Sequence, residues 1–497
     1  MISFYRFWRL FTILVGGLFA VSLYGQITGD VEVKALDRSG AAVSGAKVTV
    51  RSQDTGAQRS ATTSPDGSVR LTLLNTGKYD VQVEAQGFAS FRIPVEVNSG
   101  RVSNVRAAME IAATTQTLIV TDEAPPLDTT NAQLQTVFDS SNVVELPVNT
   151  NTAGILTFAA TAPGVVPQTP NNNNGFLGYG NFSSNGGRTR GANITVDNAT
   201  AADVSTTGGS GLGTFPIDAV REVSFITNNF SAEYGRNSSA QYQIVTKSGT
   251  NEFHGRLFEF FRNDKLNARS FFDDTGHADI TRNNDWGAVV GGRVVKDKIF
   301  WLGTYEQTKV RGAGAAVIAS VPTPSQVNGI IDPTAKALFS DLNGVSSPSG
   351  TVSNSAPNTV NSRAFGGRLD FNLSEKNALF VRGGVSDLEA NAGSQAFITS
   401  NLAGNGVSQT GRDANITVSD TYIFSPRMVN NFLASYGRNS PNFSPVLKNP
   451  GPFIFVQRRY RRARRLERGS SESCSEYVPI SGYAHLYDRC AHLESWV

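Results

Sequence analysis

Chemistry in this chain of 497 residues would have to come from four histidines, two cysteines and 41 carboxylates. Their placement argues against an enzyme. The sequence has no Gly-rich phosphate loop, no His-Glu zinc motif and no Gly-x-Ser-x-Gly nucleophile elbow, so no catalytic residue is assigned. His254 stands beside Gly255 at the head of a strand pattern, where it reads as a polar strand residue and not as a catalyst. Cys474, Cys490, His485 and His492 share the last 41 residues, but their spacing fits no zinc pattern. No metal and no cofactor is expected. The first 456 residues hold no cysteine, so neither a disulfide framework nor a thiolate site is available there.

The charge sits in the same tail. Of 44 basic and 41 acidic residues, positions 457–497 hold 8 arginines and 5 acids, which leaves 36 of each sign before them. The net charge of +3 therefore belongs to the tail, and the body gives no reason to expect nucleic acid. Seven of the arginines crowd into 458–468, and strand alternation stops there. A basic segment for acidic lipid or nucleic acid is one reading. Translation out of frame is the favoured one, which would make 457–497 an aberrant tail.

The composition speaks for β structure. Charged residues are only 17%, and Gly is 48 of 497. Residues 1–25 read as a signal peptide: Arg6 and Arg9 precede an apolar core, Leu10 to Leu23, which is too short to span a bilayer. Cleavage is expected after Ser22, with Ala20 at the small −3 position, or after Gly25. Over 27–110, Val31, Val33 and Ala35 alternate, as do Val48 and Val50, Leu71 and Leu73, Tyr79 to Ala85, and Ile93 to Val97. Period two at this spacing predicts an antiparallel β-sandwich. The run Gly29-Asp30-Val31, Gly45-Ala46-Lys47-Val48, Pro65-Asp66-Gly67, Gly77-Lys78-Tyr79 and Gly87-Phe88 resembles the carboxypeptidase regulatory-like domain. That resemblance implies an Ig/transthyretin-like, carbohydrate-binding-like fold with no peptidase activity.

Residues 115–250 are rich in Asn, Gly and Thr. Helical spacing falls at 142–146 and 155–160, and strands are expected at 194–196, 222–227 and 241–246. Arg188-Thr189-Arg190-Gly191-Ala192-Asn193, Thr195-Val196-Asp197-Asn198, Phe230 to Ser238 around Glu233-Tyr234-Gly235, and Thr246 to Gly255 around Ser248-Gly249-Thr250-Asn251 follow one another in order. The series resembles the plug-to-barrel junction of Oar-like TonB-dependent receptors of the Gram-negative outer membrane. Val196-Asp197-Asn198 stands where that family tends to carry Leu-Asp-Gly. Asn can take the left-handed backbone that Gly supplies.

Seven strands of about ten residues are expected in the barrel region 252–456, at 252–262, 285–295, 298–310, 363–373, 376–387, 413–424 and 427–438. Phe365, Gly367, Leu369, Phe371 and Leu373 alternate with Arg368, Asp370 and Asn372, apolar outside and polar inside. Trp286, Trp301, Tyr305, Tyr422 and Tyr436 suit interface girdles. Long connections of about 22, 52 and 25 residues alternate with turns of about two, as in barrels with long outer loops and short periplasmic turns. The expected class is thus mainly β: sandwich, mixed α+β plug and partial transmembrane barrel. Seven strands do not close a barrel, and the resemblance implies roughly 22, so the chain reads as truncated within it.

What the resemblance implies is uptake of a scarce ligand, a small molecule, oligosaccharide or peptide, with energy delivered by a TonB-type protein of the inner membrane. Outer-membrane lipid is the other partner, with the N-terminal domain and plug on the periplasmic side. Thr117-Leu118-Ile119-Val120-Thr121 is the candidate TonB box, or else simply the first plug strand. Arg188, Arg190, Gly191, Asn193 and Asp197 are expected to hold the plug. Glu233, Tyr234 and Gly235 are expected, with Ser248, Gly249, Thr250 and Asn251, to shape entry to the first barrel strand. The alternative is a carbohydrate-binding or adhesive surface protein without active transport.

Overall fold

The computed structural model describes residues 28–111, 118–119, 132–145, 155–167, 182–188, 191–203, 208–210, 216–231, 234–268, 280–313, 317–334, 336–337, 346–354, 357–392, 407–425 and 428–445. The expected signal, 1–25, and the tail, 457–497, lie outside them. Contacts divide the chain into two compact units, Met1–Arg311 with Thr359–Ala390 and Gln409–Asn442, and Gly312–Asn358 with Asn391–Ser408 and Phe443–Val497. Among the described residues no helix is long and apolar enough to cross a membrane, which leaves strands untouched.

In the first unit the N-terminal strands are β1 (Thr28–Asp37), β2 (Lys47–Ser52), β3 (Gln58–Thr62), β4 (Ser68–Asn75), β5 (Gly77–Glu84), β6 (Phe91–Val97) and β7 (Val102–Met109). One sheet runs β4-β1-β7 and a second β3-β2-β5-β6-β8, where β8 is the short strand Leu118–Ile119. Both sheets feed one core. Val31, Val33, Val48, Val50, Val81, Val83 and Val97 have no exposed surface, each contributing on the order of 1.5–3 kcal/mol by burial. The two sheets are not wholly antiparallel as expected: β1 and β7 pair in parallel over Asp30–Asp37 and Val102–Met109. β6 belongs to the opposite sheet, so the chain crosses over and enters beside β1 in the same direction. The sequence expectation also lacked β3, whose residues are all exposed or half-exposed and carry no core face.

The central domain comprises β9 (Leu134–Asp139), a helix Ser140–Glu145, a 3-10 helix Ile155–Thr161, β10 (Val165–Pro167), β11 (Phe182–Ser184), β12 (Ala192–Val196), β13 (Ala199–Thr200), β14 (Ala202–Asp203), β15 (Gly208–Ser210), β16 (Val220–Asn228) and β17 (Ala240–Thr246). Its main sheet is ordered β13-β12-β17-β16-β9. The first helix starts where Asp139 Oδ1 accepts the Asn142 amide at 2.8 Å, an N-terminal cap. Phe182, Phe225 and Tyr242 pack edge-on or tilted, with centroids 5.1 to 6.2 Å apart. Tyr242 donates its hydroxyl to the Ile155 carbonyl, so the buried ring leaves no polar atom unpaired.

A third, larger sheet forms a wall. Its strands are β18 (His254–Asn263), β19 (Thr281–Val295), β20 (Ile299–Ala313), then, past β21 (Val317–Ser320) and β22 (Thr351–Asn354), β23 (Pro357–Ser374), β24 (Asn377–Ala392), β25 (Val407–Ser425), β26 (Met428–Arg438) and β27 (Pro441–Pro445). The order is β18-β19-β20-β23-β24-β25-β26, with β27 against β25. All seven expected strands are present, and several are longer, 15 to 19 residues for β19, β20, β23, β24 and β25. The connections are correspondingly shorter than expected. One face is apolar and exposed, with Phe365, Leu369 and Leu373, while Arg368 and Asp370 are buried on the other. Trp286, Tyr305 and Phe365 form an aromatic row across β19, β20 and β23, with centroids 5.2 and 4.8 Å apart.

In the second unit β21 and β22 pair antiparallel within what reads as one long loop. There the helix Pro324–Asn328 begins with a capping box between Thr323 and Gln326.

Candidate functional site

The strands β12 and β13 join through Asp197 and Asn198, whose φ angles are 48° and 64°. Two successive left-handed residues make the tight hairpin turn that Asn and Asp tolerate among non-glycines. This turn aims the Asp197 carboxylate, which has no exposed surface, at β17. Oδ1 accepts the Thr246 amide at 2.9 Å and Oδ2 accepts the Thr246 hydroxyl at 2.7 Å.

Two arginines of the wall close on the same carboxylate. Arg382 Nε, on β24, lies 2.8 Å from Oδ2, and Arg368 Nη1, on β23, lies 3.5 Å from Oδ1. Both are nearly inaccessible, Arg382 3% and Arg368 7% exposed. Their remaining donors are spoken for in different ways. Arg368 reaches Asp370 through Nε at 3.0 Å and Nη2 at 2.8 Å, donates to Thr246 Oγ1 at 2.9 Å, and stacks over Phe380 at 4.2 Å. Arg382 donates to neutral oxygens, Asn415 Oδ1 at 2.9 Å, Thr417 Oγ1 at 3.2 Å and the Val196 carbonyl at 3.3 Å. Two cations, Arg368 and Arg382, and two anions, Asp197 and Asp370, thus balance in one buried cluster. The clamp ties the central domain to the inner face of the wall.

The structure brings Asp197 to this cluster and places the other sequence candidates elsewhere. The Arg188 side chain is exposed, and its carbonyl accepts the Gly191 amide at 2.9 Å. Asn193 Nδ2 donates to the Gly235 carbonyl at 3.2 Å within the central domain. The Gly191 carbonyl accepts the Ser238 amide at 2.7 Å. Tyr234 is buried near Gly100 of the N-terminal domain: a Cβ on Gly100 would stand 2.8 Å from its hydroxyl. Arg190 and Glu233 lie outside the described residues, as do Thr117, Val120 and Thr121. Arg382 and Thr246 escaped the sequence reading as site residues. The available signal was an arginine at an inward, polar position of a strand otherwise reading Ala-Leu-Phe-Val.

A second junction lies at the start of β18. Asn251 Nδ2 donates to Asp297 Oδ1 at 2.8 Å, and the Asp297 amide returns a bond to Asn251 Oδ1 at 2.9 Å. The Asn251 amide bonds the Asp54 carbonyl of the N-terminal domain at 3.0 Å. Asp297 sits at φ 60° in the turn between β19 and β20. Gly249 passes so close to the wall that a Cβ would meet the Gly292 carbonyl and the Trp301 amide, each at 2.7 Å. Thr250 Oγ1 lies 3.1 Å from His254 Nδ1. Ser248 opens this passage.

The N-terminal and central domains meet at Glu222, which is 3% exposed. Its carboxylate accepts the Ser99 amide at 3.2 and 3.3 Å. Burial pushes this carboxyl up to about 7, against the pull of the Ser99 amide, Arg221 and Arg101 and with a push from Glu96. A carboxyl raised in the fold binds a proton that the unfolded chain has already released. Stability therefore falls as pH rises from 4.5 to about 7. The loss amounts to about 3 kcal/mol at 1.4 per pH unit. Glu222→Gln should flatten this slope in thermal unfolding between pH 4.5 and 8; an unchanged slope would assign it to other groups.

Among the described residues no group of three or more His, Cys, Asp or Glu side chains could hold a metal ion. Comparison with known proteins agrees with a wall-forming protein. A family model described as an outer membrane beta barrel domain matches residues 245–344 and 330–454, and the carboxypeptidase regulatory-like domain matches 27–110. The TonB-dependent transporter Oar of Myxococcus xanthus is 23% identical over 300 residues, 58% of this chain and 27% of that protein. The chain therefore spans about a quarter of the length of that curated relative. Among solved structures, the outer membrane transporter YddB of Escherichia coli is 10% identical, with TM-score 0.42, covering 63% of this chain and 39% of its own. The ferric enterobactin receptor PfeA of Pseudomonas aeruginosa is 14% identical, with TM-score 0.39, covering 63% and 42%.

Proposed function

We propose that this chain, a homologue of the TonB-dependent transporter Oar with an outer membrane β-barrel domain and a place in the Gram-negative outer membrane, works as an energised receptor for a scarce ligand. In this reading the central domain, 115–250, is a plug held inside the wall, and the wall is the N-terminal part of a lipid-facing barrel. The observation that carries it is the buried clamp of Asp197 with Arg368 and Arg382. A domain fixed by buried charges to the polar face of a sheet whose other face is apolar is what blocking a pore requires.

Sidedness supports the same reading. The N-terminal domain touches the short turns of the wall: Gln58 Nε2 donates to Glu375 Oε1 at 2.9 Å, and Asn251 joins Asp54 to Asp297. Short turns face the periplasm in such barrels, where a TonB-type protein can reach the segment 117–121. The ligand is a small molecule, oligosaccharide or peptide captured by the long connections. No catalytic step is part of this function.

Strand addition is the means of energy transfer, and it needs backbone donors. Leu118→Pro removes one and fixes φ. It is expected to lower capture of a purified periplasmic TonB fragment by the full chain at least about tenfold. Undiminished capture by L118P, or by a chain lacking 117–121, would overturn the assignment of this segment.

A further inference from the structure

On the exposed face of the wall, charge replaces apolar side chains at the strand ends away from the short turns. Successive residues of one strand alternate between faces. On β23, Arg363 precedes Phe365 on that face; on β24, Asp387 follows Val385; on β25, Arg412 precedes Ala414 and Ile416. The three meet across neighbouring strands. Arg412 Nε and Nη2 bond Asp387 Oδ1 and Oδ2 at 2.6 and 3.2 Å, and Arg363 Nη2 stands 4.0 Å from Oδ2. We infer that this ladder is a docking surface for the headgroup of an outer-leaflet lipid that carries phosphate monoesters. The inference rests on the reading of the wall as a lipid-facing barrel with its short turns in the periplasm.

Position on the sheet decides the kind of partner. A cation on the lipid face is expensive at the bilayer midplane and nearly free at the interface. Phe365 is one of the rings of the aromatic row, so Arg363 stands one same-face step beyond the level those rings take. Asp387 fixes the two arginines without cancelling them. One carboxylate against two cations leaves a positive excess, and the Arg363 and Arg412 side chains are still 53% and 71% exposed. Lys309 and Arg311 follow Tyr305 on the same face of β20, and Arg438 stands opposite Ala414 on β26, next to Arg412. Even with Glu389 beyond Asp387 on β24, cations exceed carboxylates among these residues. Guanidinium forks match phosphate oxygens in pairs. A headgroup that places an amine beside each phosphate brings its own cation to a cationic surface, whereas a phosphate monoester brings only acceptors and negative charge.

The test measures lipid retained by the full chain. Purified protein in mild detergent is mixed with micelles of diphosphoryl lipid A or of its dephosphorylated form, washed, and assayed for bound lipid. The parent should retain the phosphorylated form in excess. The double variant Arg363→Gln/Arg412→Gln should retain at least about tenfold less, the size expected for two cations at an anionic lipid surface. Lys296→Gln/Lys298→Gln removes the same charge from the exposed turn between β19 and β20 and should match the parent. Equal retention by the parent and R363Q/R412Q, or an equal loss in K296Q/K298Q, overturns the docking surface. Release of the lipid by an equal concentration of inorganic phosphate overturns it too, because the acyl chains would then add nothing. A separate measurement reports on the wall: Leu369→Trp in vesicles of brominated phosphatidylcholine should add tryptophan quenching over the parent. Absence of added quenching overturns the lipid-facing wall on which the inference rests, and quenching with equal lipid retention overturns the docking surface alone.

Discussion

Asp197→Asn should loosen the central domain from the wall by about 3–5 kcal/mol, the cost of breaking a buried ion pair by removing one partner. The two arginines are not affected alike. Arg368 keeps its paired bonds to Asp370, so its charge stays compensated. Arg382 loses the carboxylate 2.8 Å from its Nε and keeps its bonds to Asn415, Thr417 and the Val196 carbonyl. Susceptibility of the purified chain's central domain to limited proteolysis reads its seating on the wall directly. D197N should raise it. Equal susceptibility of the parent and D197N proteins would remove the clamp from the account of how the central domain is held to the wall.

The second large effect is expected at Gly249. This residue lets the chain pass between the central domain's last strand and the wall, with the Gly292 carbonyl and Trp301 amide too near for any side chain. The neighbours are backbone atoms in paired strands, so they cannot swing aside. Gly249→Val should cost about 1–3 kcal/mol in overpacking, or more where β19 and β20 must part. The sheet order puts β19 and β20 next to β18, so the strain falls on the first three wall strands. The measurement is the fraction of full-length protein in outer-membrane preparations that resists protease. A sharp drop for G249V beside an unchanged level for a substitution at the exposed Arg188 is expected. Equal resistance would mean that the passage has room to open.

Much of the wall was legible because an exposed apolar face and a buried polar face impose period two on every strand. The stretch Phe365 to Leu373 shows it in one line of sequence, and the structure buries Arg368 and Asp370 while exposing Phe365, Leu369 and Leu373. The Asp197-Asn198 turn was legible for a local reason as well, the tolerance of these residues for left-handed backbone. What pairs with Asp197 was not. Arg368 is 171 residues away, and an inward arginine in a wall strand looks the same whether it meets water, ligand or carboxylate. The parallel pairing of β1 with β7 was missed for the same reason, since alternation tells which face is buried and not which neighbour lies beside it. Glu222 carries no local mark at all. Its isolation from water comes from the Ser99 turn of another domain.

The aromatic row across β19, β20 and β23 has a consequence for the membrane itself. Rings such as Trp286 and Tyr305 prefer the level of the lipid headgroups. Three of them in lateral contact on adjacent strands fix one height on the sheet instead of three independent ones. A bilayer whose hydrocarbon thickness disagrees with that height cannot be met by one side chain bending away. The lipid must thin or thicken locally, or the strands must tilt together. The row thus makes acyl-chain length a variable to which the orientation of the whole wall responds.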